Sequence, residues 1–166
     1  MRKIVTFGIA VICALQLFGQ DDMQAFEKEF QGLMKNTTGI PYGSNKAAGK
    51  YYDIRGFKMY AETYGSGNPL LIIHGNGGSI SNFVNQIPFF SKKYKVIVAD
   101  SRAQGNSKDP SDSLSYEMMA DDYAALLDQM KIDSAYVIGW SDGGINGLLL
   151  AIRHPEKVKK LAVTGA

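Results

Sequence analysis

The chain has 166 residues, 45% of them hydrophobic and 11% aromatic, with 18 Lys and Arg against 16 Asp and Glu and a net charge of +2. Such a globular composition excludes collagen-like, low-complexity and disordered classes, and the near-balance of charge gives no electrostatic reason to expect nucleic acid or an anionic membrane as partner. A single cysteine excludes an intrachain disulfide and a cysteine-based zinc site, so no metal is expected.

Arg2 and Lys3 precede an apolar run, Ile4 to Phe18, broken only by Thr6 and Gln16. Fifteen residues are short for a ~30 Å hydrocarbon core at 1.5 Å per residue. Residues 1–20 therefore read as a secretory signal peptide ending near Gly19-Gln20, with an uncleaved anchor as the alternative. Ile12 before Cys13 is too large for a lipoprotein acceptor site. Cleavage would remove Arg2, Lys3 and Cys13, leaving 16 basic residues against 16 acidic ones and no thiol. The expected product is exported, periplasmic or secreted, with no stable membrane insertion and no disulfide contribution to stability.

Met23, Phe26, Phe30 and Leu33 recur at helical spacing and predict a short amphipathic helix from Asp21 to Asn36. Asn36 to Gly49 is rich in Gly, Asn and Thr and reads as linker, so residues 21–49 form an N-terminal helix and linker. Asn36-Thr37-Thr38 fits a glycosylation acceptor, a short match of little weight.

From residue 50 strands and helices alternate. Strands are expected at Tyr51–Lys58, Met59–Tyr64, Leu70–His74, Lys95–Asp100, Ala135–Trp140 and from Val158 to Thr164. LLIIH and KVIVAD are continuous apolar runs, as in strands buried on both faces of a parallel sheet. Helices are expected over Ser81–Phe90, with a break near Pro88, and over Ser115–Met130. A third is expected over Gly143–His154, with Ile145, Leu148, Leu149 and Ile152 on its apolar face. The alternation predicts an α/β fold with a mainly parallel sheet over residues 50–166.

Gly139-Trp140-Ser141-Asp142-Gly143 matches G-x-S-x-G between an apolar strand and a helix. The chain must turn sharply there, lifting the serine above the sheet, and the flanking glycines let strand and helix approach. Ser141 then sits at a helix N-terminus, where the backbone N–H of Asp142 can help hold an oxyanion. The plainer reading makes Ser141 an ordinary N-cap. His74-Gly75-Asn76-Gly77-Gly78 follows the LLIIH strand, and its glycines allow close backbone approach, with the Asn76 N–H as the second oxyanion donor. No Lys follows, against a phosphate loop, and a third glycine for a dinucleotide fingerprint is missing. Asp100, at a strand end, reads as a turn organiser rather than a catalytic carboxylate.

These three segments, in this order, resemble the α/β-hydrolase superfamily: an HG loop after the third strand, D-x-R-x-x-G-x-S after the fourth, G-x-S-x-G after the fifth. The likeness spans roughly Tyr51 to Ala166 and is nearest to serine esterases, enol-lactonases and C–C bond hydrolases. It implies an α/β-hydrolase fold, a mostly parallel sheet with helices on both faces. It places Ser141 on the nucleophile, Asn76 and Asp142 on the oxyanion positions and Trp140 on the pocket wall. Ala103 stands where glycine is common. Related dehalogenases and epoxide hydrolases carry an Asp nucleophile, which Ser141 argues against.

The family order of Ser, acid, His requires a histidine beyond Ser141. Only His154 follows it, roughly 20 Å along the helix that Ser141 opens; His74 precedes it and reads as structural. The chain thus resembles the front part of such a hydrolase, truncated after the sixth strand. Its last strand is expected to be an unpaired edge, and the isolated product marginal or aggregation-prone. The expected activity is cofactor-free cleavage of an ester-like bond in a small molecule, through an acyl-enzyme completed by a downstream Asp or Glu and His. The alternatives are a non-catalytic binding module or inactive fragment, and a haloperoxidase-type activity on the same triad.

Overall fold

The computed structural model describes residues 37–109 and 113–166, together with Gln24, Lys28, Gly32 and Lys35. The signal-peptide reading and most of the N-terminal helix lie outside the described residues; Gln24, Lys28 and Gly32 are helical. The chain divides into two compact units, Met1–Lys35 and Asn36–Ala166. The second unit carries the whole sheet and all three motifs.

Six strands form that sheet: β1 (Gly49–Ile54), β2 (Phe57–Tyr64), β3 (Asn68–Ile73), β4 (Tyr94–Ala99), β5 (Ala135–Trp140) and β6 (Val158–Thr164). Their order is β1-β2-β4-β3-β5-β6. β2 pairs antiparallel with β1 and β4, whereas β4–β3, β3–β5 and β5–β6 are parallel. The helices are α1 (Gln86–Phe90), α2 (Tyr116–Gln129) and α3 (Asp142–Arg153).

The central strand β3 shows why both faces need cover. Leu71 and Ile73 join one buried cluster with Tyr123, Leu126 and Leu127 of α2 and Leu150 of α3. Leu70 and Ile72 join a second with Ile80, Phe83, Val84 and Ile87. Strand alternation sends successive side chains to opposite faces, so an unbroken apolar run requires helices on both. β6 lies at the sheet edge, paired with β5 alone and largely exposed.

Several expectations are corrected in detail. The hairpin turns at Arg55-Gly56, not between Lys58 and Met59, because both turn residues have positive φ, 41° and 93°, the signature of a two-residue hairpin turn. The helix expected over Ser81–Phe90 is a 3-10 turn, Ile80–Phe83, followed by α1. Pro88 falls in the first turn of α1, where its missing N–H has no intrahelical partner to lose. Ser115 caps α2 by accepting from the Met118 N–H at 3.2 Å.

The largest correction concerns α3. Leu148 and Ile152, expected on its buried face, are 43% and 73% exposed. The buried face is instead Gly143, Gly144, Asn146, Gly147 and Leu150. A Cβ on Gly143 would lie 2.2 Å from the Ile73 carbonyl oxygen. Gly143, Gly144 and Gly147 add no side chain to that face, which lets the helix lie close against the sheet.

Residues 42–45, within the segment read as linker, are held by Glu62, a buried carboxylate on β2. It accepts from the Gly43 N–H (2.9 Å), the Asn45 N–H (2.8 Å), the Tyr60 hydroxyl (2.8 Å) and the Tyr64 hydroxyl (2.7 Å). Four donors satisfy a carboxylate's lone-pair capacity, which is how its charge is tolerated in the interior.

Candidate active site

Ser141 sits between β5 and α3 with φ 54° and ψ −126°. A non-glycine residue held there is strained, and such strain persists only when the surroundings over-determine it. They do so here. The Ser141 N–H donates to the Thr164 carbonyl at 2.8 Å, and the Gly144 N–H donates to the Ser141 carbonyl at 2.7 Å. A Cβ on Gly139 would lie 2.2 Å from the Gly143 oxygen, so strand and helix meet backbone to backbone across the elbow. Ser141 does not act as an ordinary N-cap: its side chain makes no capping hydrogen bond. Among the described residues its hydroxyl has no hydrogen-bond partner.

The loop after β3 stands over this serine. A Cβ on Gly75 would be 3.0 Å from Ser141 Cβ and 3.5 Å from its Oγ. A larger residue at position 75 would thus occupy the space beside the hydroxyl. Asn76 follows, and its N–H makes no hydrogen bond among the described residues. Asp142 opens α3, where N–H groups have no intrahelical acceptor. A groove of about 380 Å³ is lined by Asn76 and Asp142 with Leu114, Tyr116, Glu117 and Met119 among others; Ser141 itself is not among its lining residues. The structure therefore brings Ser141, Asn76 and Asp142 together. Trp140 ends β5 half-buried, is not among the groove's lining residues, and has its indole beside Gly165.

His74 is buried and held at both ring nitrogens. Its Nδ1 lies 2.8 Å from the Gly75 carbonyl, and its Nε2 accepts from the Ser101 N–H at 2.9 Å. That pattern fixes the neutral tautomer protonated on Nδ1; burial lowers its pKa, opposed by the Gly75 bond and by Asp100. The ring pins the loop after β3 to the loop after β4 and has no nitrogen left for a serine. Asp100 is equally committed. It accepts from the Ile80 N–H (2.8 Å) and the Asn106 N–H (2.7 Å), while burial raises its pKa. A Cβ on Gly105 would collide with this carboxylate at 2.3 Å, which is why the loop carries glycine there. Ala103 holds φ +60°, the left-handed region that glycine enters at least cost.

Arg102 of the same loop is a buried strut. It donates to Asp122 from Nε (2.7 Å) and Nη2 (2.8 Å), to Asp109 from Nη1 (2.9 Å), and lies over the Phe57 ring. His154 lies at the far end of α3, where its Nε2 is 2.8 Å from Asp121, itself held by the Arg153 Nε and Nη2 at 2.9 Å each. Among the described residues, then, neither histidine is placed to serve Ser141. Asn146, buried in α3, donates weakly to the Met119 sulfur at 3.7 Å, and its Oδ1 has no partner; nothing in the sequence pattern signalled it.

Residues 68–166 match the family model for the alpha/beta hydrolase fold. The chain belongs to the α/β-hydrolase family. It is 34% identical over 115 residues to the 2-hydroxymuconate semialdehyde hydrolase of Pseudomonas sp. (strain CF600), covering 67% of this chain and 41% of that protein. It is similar to the solved structure of Est816, described as an N-acyl homoserine lactone degrading enzyme: 32% identity, TM-score 0.66, 69% of this chain and 44% of that one. It is also similar to the epoxide hydrolase CorEH: 30% identity, TM-score 0.67, 69% and 41%. The chain spans about two fifths of the length of the curated relatives it matches. These relatives are hydrolases. Among the described residues, no helix is long and apolar enough to cross a membrane and no cluster of potential metal ligands occurs.

Proposed function

We propose that the protein carrying this chain is a serine hydrolase that cleaves an ester or related acyl bond of a small molecule through an acyl-enzyme on Ser141. The observation that carries the reading is the uncommitted Ser141 hydroxyl, held on a strained backbone beside Gly75, with Asn76 next to Gly75 and Asp142 next to Ser141 along the chain. A serine needs a base to become a nucleophile. That base and its orienting acid come from residues other than those described. The Ser141 proton passes to the base as Oγ bonds to the acyl carbon, and the carbonyl electron pair moves onto its oxygen. The Asn76 and Asp142 N–H groups stabilise that oxyanion, the kind of contact whose loss costs about 10²–10³ in kcat. Collapse expels the alcohol, which takes the proton; water repeats the cycle on the acyl-enzyme.

The likeness to an epoxide hydrolase does not bring epoxide opening with it, because the related epoxide hydrolases carry Asp where this chain has Ser141. A second reading, a non-catalytic module, draws on one observation: both histidines of the described residues are committed elsewhere. Fluorophosphonate labelling of the full-length protein separates the two. Labelling abolished in Ser141→Ala is the expected result; labelling that survives the substitution, or is absent from the wild type, rejects the serine reading. We also propose export, with a mature N-terminus near Asp21, to be read by N-terminal sequencing of the exported protein.

A further inference from the structure

Asn146 is 1% exposed, yet its Oδ1 has no hydrogen-bond partner among the described residues. Its Nδ2 lies 3.7 Å from the Met119 sulfur. A thioether accepts weakly and donates nothing, so the NH2 end of the amide belongs against it and the carbonyl end is the one left over. A buried amide oxygen without a donor bears its full desolvation penalty, and native structures keep few such groups. Packing does not call for one here. The rest of the buried face of α3 is Gly143, Gly144, Gly147 and Leu150, and leucine is a better helix former than asparagine. Asn146 stands one turn after Asp142 on α3, and helical side chains lean toward the N-terminus, the end that carries Asp142. Asp142 and Met119 both line the groove of about 380 Å³, one from α3 and the other from α2. Met119 is thus the residue that the amide and the groove share. Its unbranched thioether changes rotamer at little cost, so turning it aside opens the amide to the groove. The groove's size falls within the about 300–1,000 Å³ of small-molecule sites, which pair apolar lining with a few polar groups. Leu114 and Tyr116, 48% and 38% exposed, supply apolar lining.

We infer that the groove is a binding site for a small molecule carrying a carboxamide on a short apolar chain, with Asn146 as its polar floor and Met119 as a movable cover. The ligand's N–H donates to Asn146 Oδ1, and its carbonyl accepts from Asn146 Nδ2 as Met119 turns aside. The chain lies against Leu114 and Tyr116. The inference goes beyond the acyl-transfer reading and does not rest on it. Its test is titration of the full-length protein, isotope-labelled at its methionine methyls, with butyramide and with pentan-2-one, a probe of similar shape that has the carbonyl but no N–H. The Met119 methyl signal, assigned through Met119→Leu, reads the binding. Butyramide is expected to move that signal and to bind about three- to tenfold more tightly than pentan-2-one, the worth of one neutral hydrogen bond. In Asn146→Leu the preference should vanish while the thermal midpoint holds or rises. Slower fluorophosphonate labelling in the presence of butyramide identifies the group as part of a substrate, unchanged labelling as a separate ligand, and either stands with the binding result. Equal affinity for the two probes, or no binding of either, leaves at most a water on Asn146 and overturns the inference. So does a preference that survives Asn146→Leu, or binding that leaves the Met119 methyl unmoved. A lowered midpoint, or failure of Asn146→Leu to fold, gives the amide a structural partner elsewhere in the chain and overturns it too.

Discussion

Substitution of Gly143 by alanine tests the idea that the elbow is built by backbone contact. The new Cβ would lie 2.2 Å from the Ile73 oxygen, 2.7 Å from the Ile73 carbonyl carbon and 2.7 Å from the His74 oxygen. All three are backbone atoms of β3 and its exit, and the nearest contact is roughly 1 Å short of ordinary van der Waals separation. No rotamer change relieves it; α3 must move away from β3, carrying Ser141 with it. Alanine gains about 1 kcal/mol of helix propensity over glycine in a helix interior, less in the first turn. Overpacking against a fixed neighbour costs about 1–3 kcal/mol, so the clash wins, and Gly143→Ala should be less stable by about 1–2 kcal/mol. Gly147→Ala is the control. Its Cβ would meet the Leu161 Cδ1 methyl at 2.9 Å, the tip of a side chain that can rotate, so propensity and crowding should nearly cancel. Denaturant unfolding of the full-length variants, read with fluorophosphonate labelling rate, checks both. Gly143→Ala should lose stability and label slowly while Gly147→Ala stays within about 1 kcal/mol of wild type. Equal stability of the two variants would falsify the account of the elbow.

Three further perturbations probe the same structure. Glu62→Gln replaces one acceptor oxygen with an NH2 that must face a fixed backbone N–H, of Gly43 or Asn45. It should cost about 2–4 kcal/mol and expose residues 37–48 to limited proteolysis; unchanged protease resistance counts against the clamp. Ala103→Gly removes a left-handed alanine that costs about 1–2 kcal/mol and adds back about 0.5–1 kcal/mol of chain entropy. A small gain in thermal stability is expected, and a loss would mean the Ala103 methyl makes a contact that matters more than the strain. Asp121, held first by Arg153 and then by His154, has its pKa lowered to about 2. A depressed carboxylate stabilises the fold above its unfolded pKa, near 3.8, and loses that contribution as pH falls through about 2. The stability gap between wild type and Asp121→Asn should therefore be full above about pH 4 and close below it; a gap that persists at pH 2 refutes the linkage.

The sheet and the elbow were legible because their signals are local and periodic. LLIIH and KVIVAD had to be strands covered on both faces, and G-x-S-x-G had only one sensible place between strand and helix. The face of α3 was misread because hydrophobic periodicity counts side chains. Contact made through Gly143, Gly144 and Gly147 leaves no apolar trace, and the leucines it displaces, such as Leu148, mimic a buried stripe. The turn at Arg55-Gly56 was missed because arginine does not advertise a positive φ. Glu62 was invisible for a different reason: its partners, Gly43, Asn45, Tyr60 and Tyr64, include two residues nearly twenty positions away, and only the folded chain assembles them.

Among the described residues both histidines are engaged away from Ser141. His74 accepts from Ser101 and lies against the Gly75 carbonyl, so it fixes the distance between the two loops that leave β3 and β4. Asp100 performs the matching task from the other side, through Ile80 and Asn106. Both groups look catalytic by residue type, yet each is fully engaged with backbone. They fix the loop whose Gly75 lies against Ser141. Protonating His74 would put an N–H on Nε2 facing the Ser101 N–H, donor against donor. Its folded pKa is lowered, so acid works against this contact, and the loop that carries Asn76 depends on it. The position of the loop after β3 relative to the elbow is thereby set within the described residues.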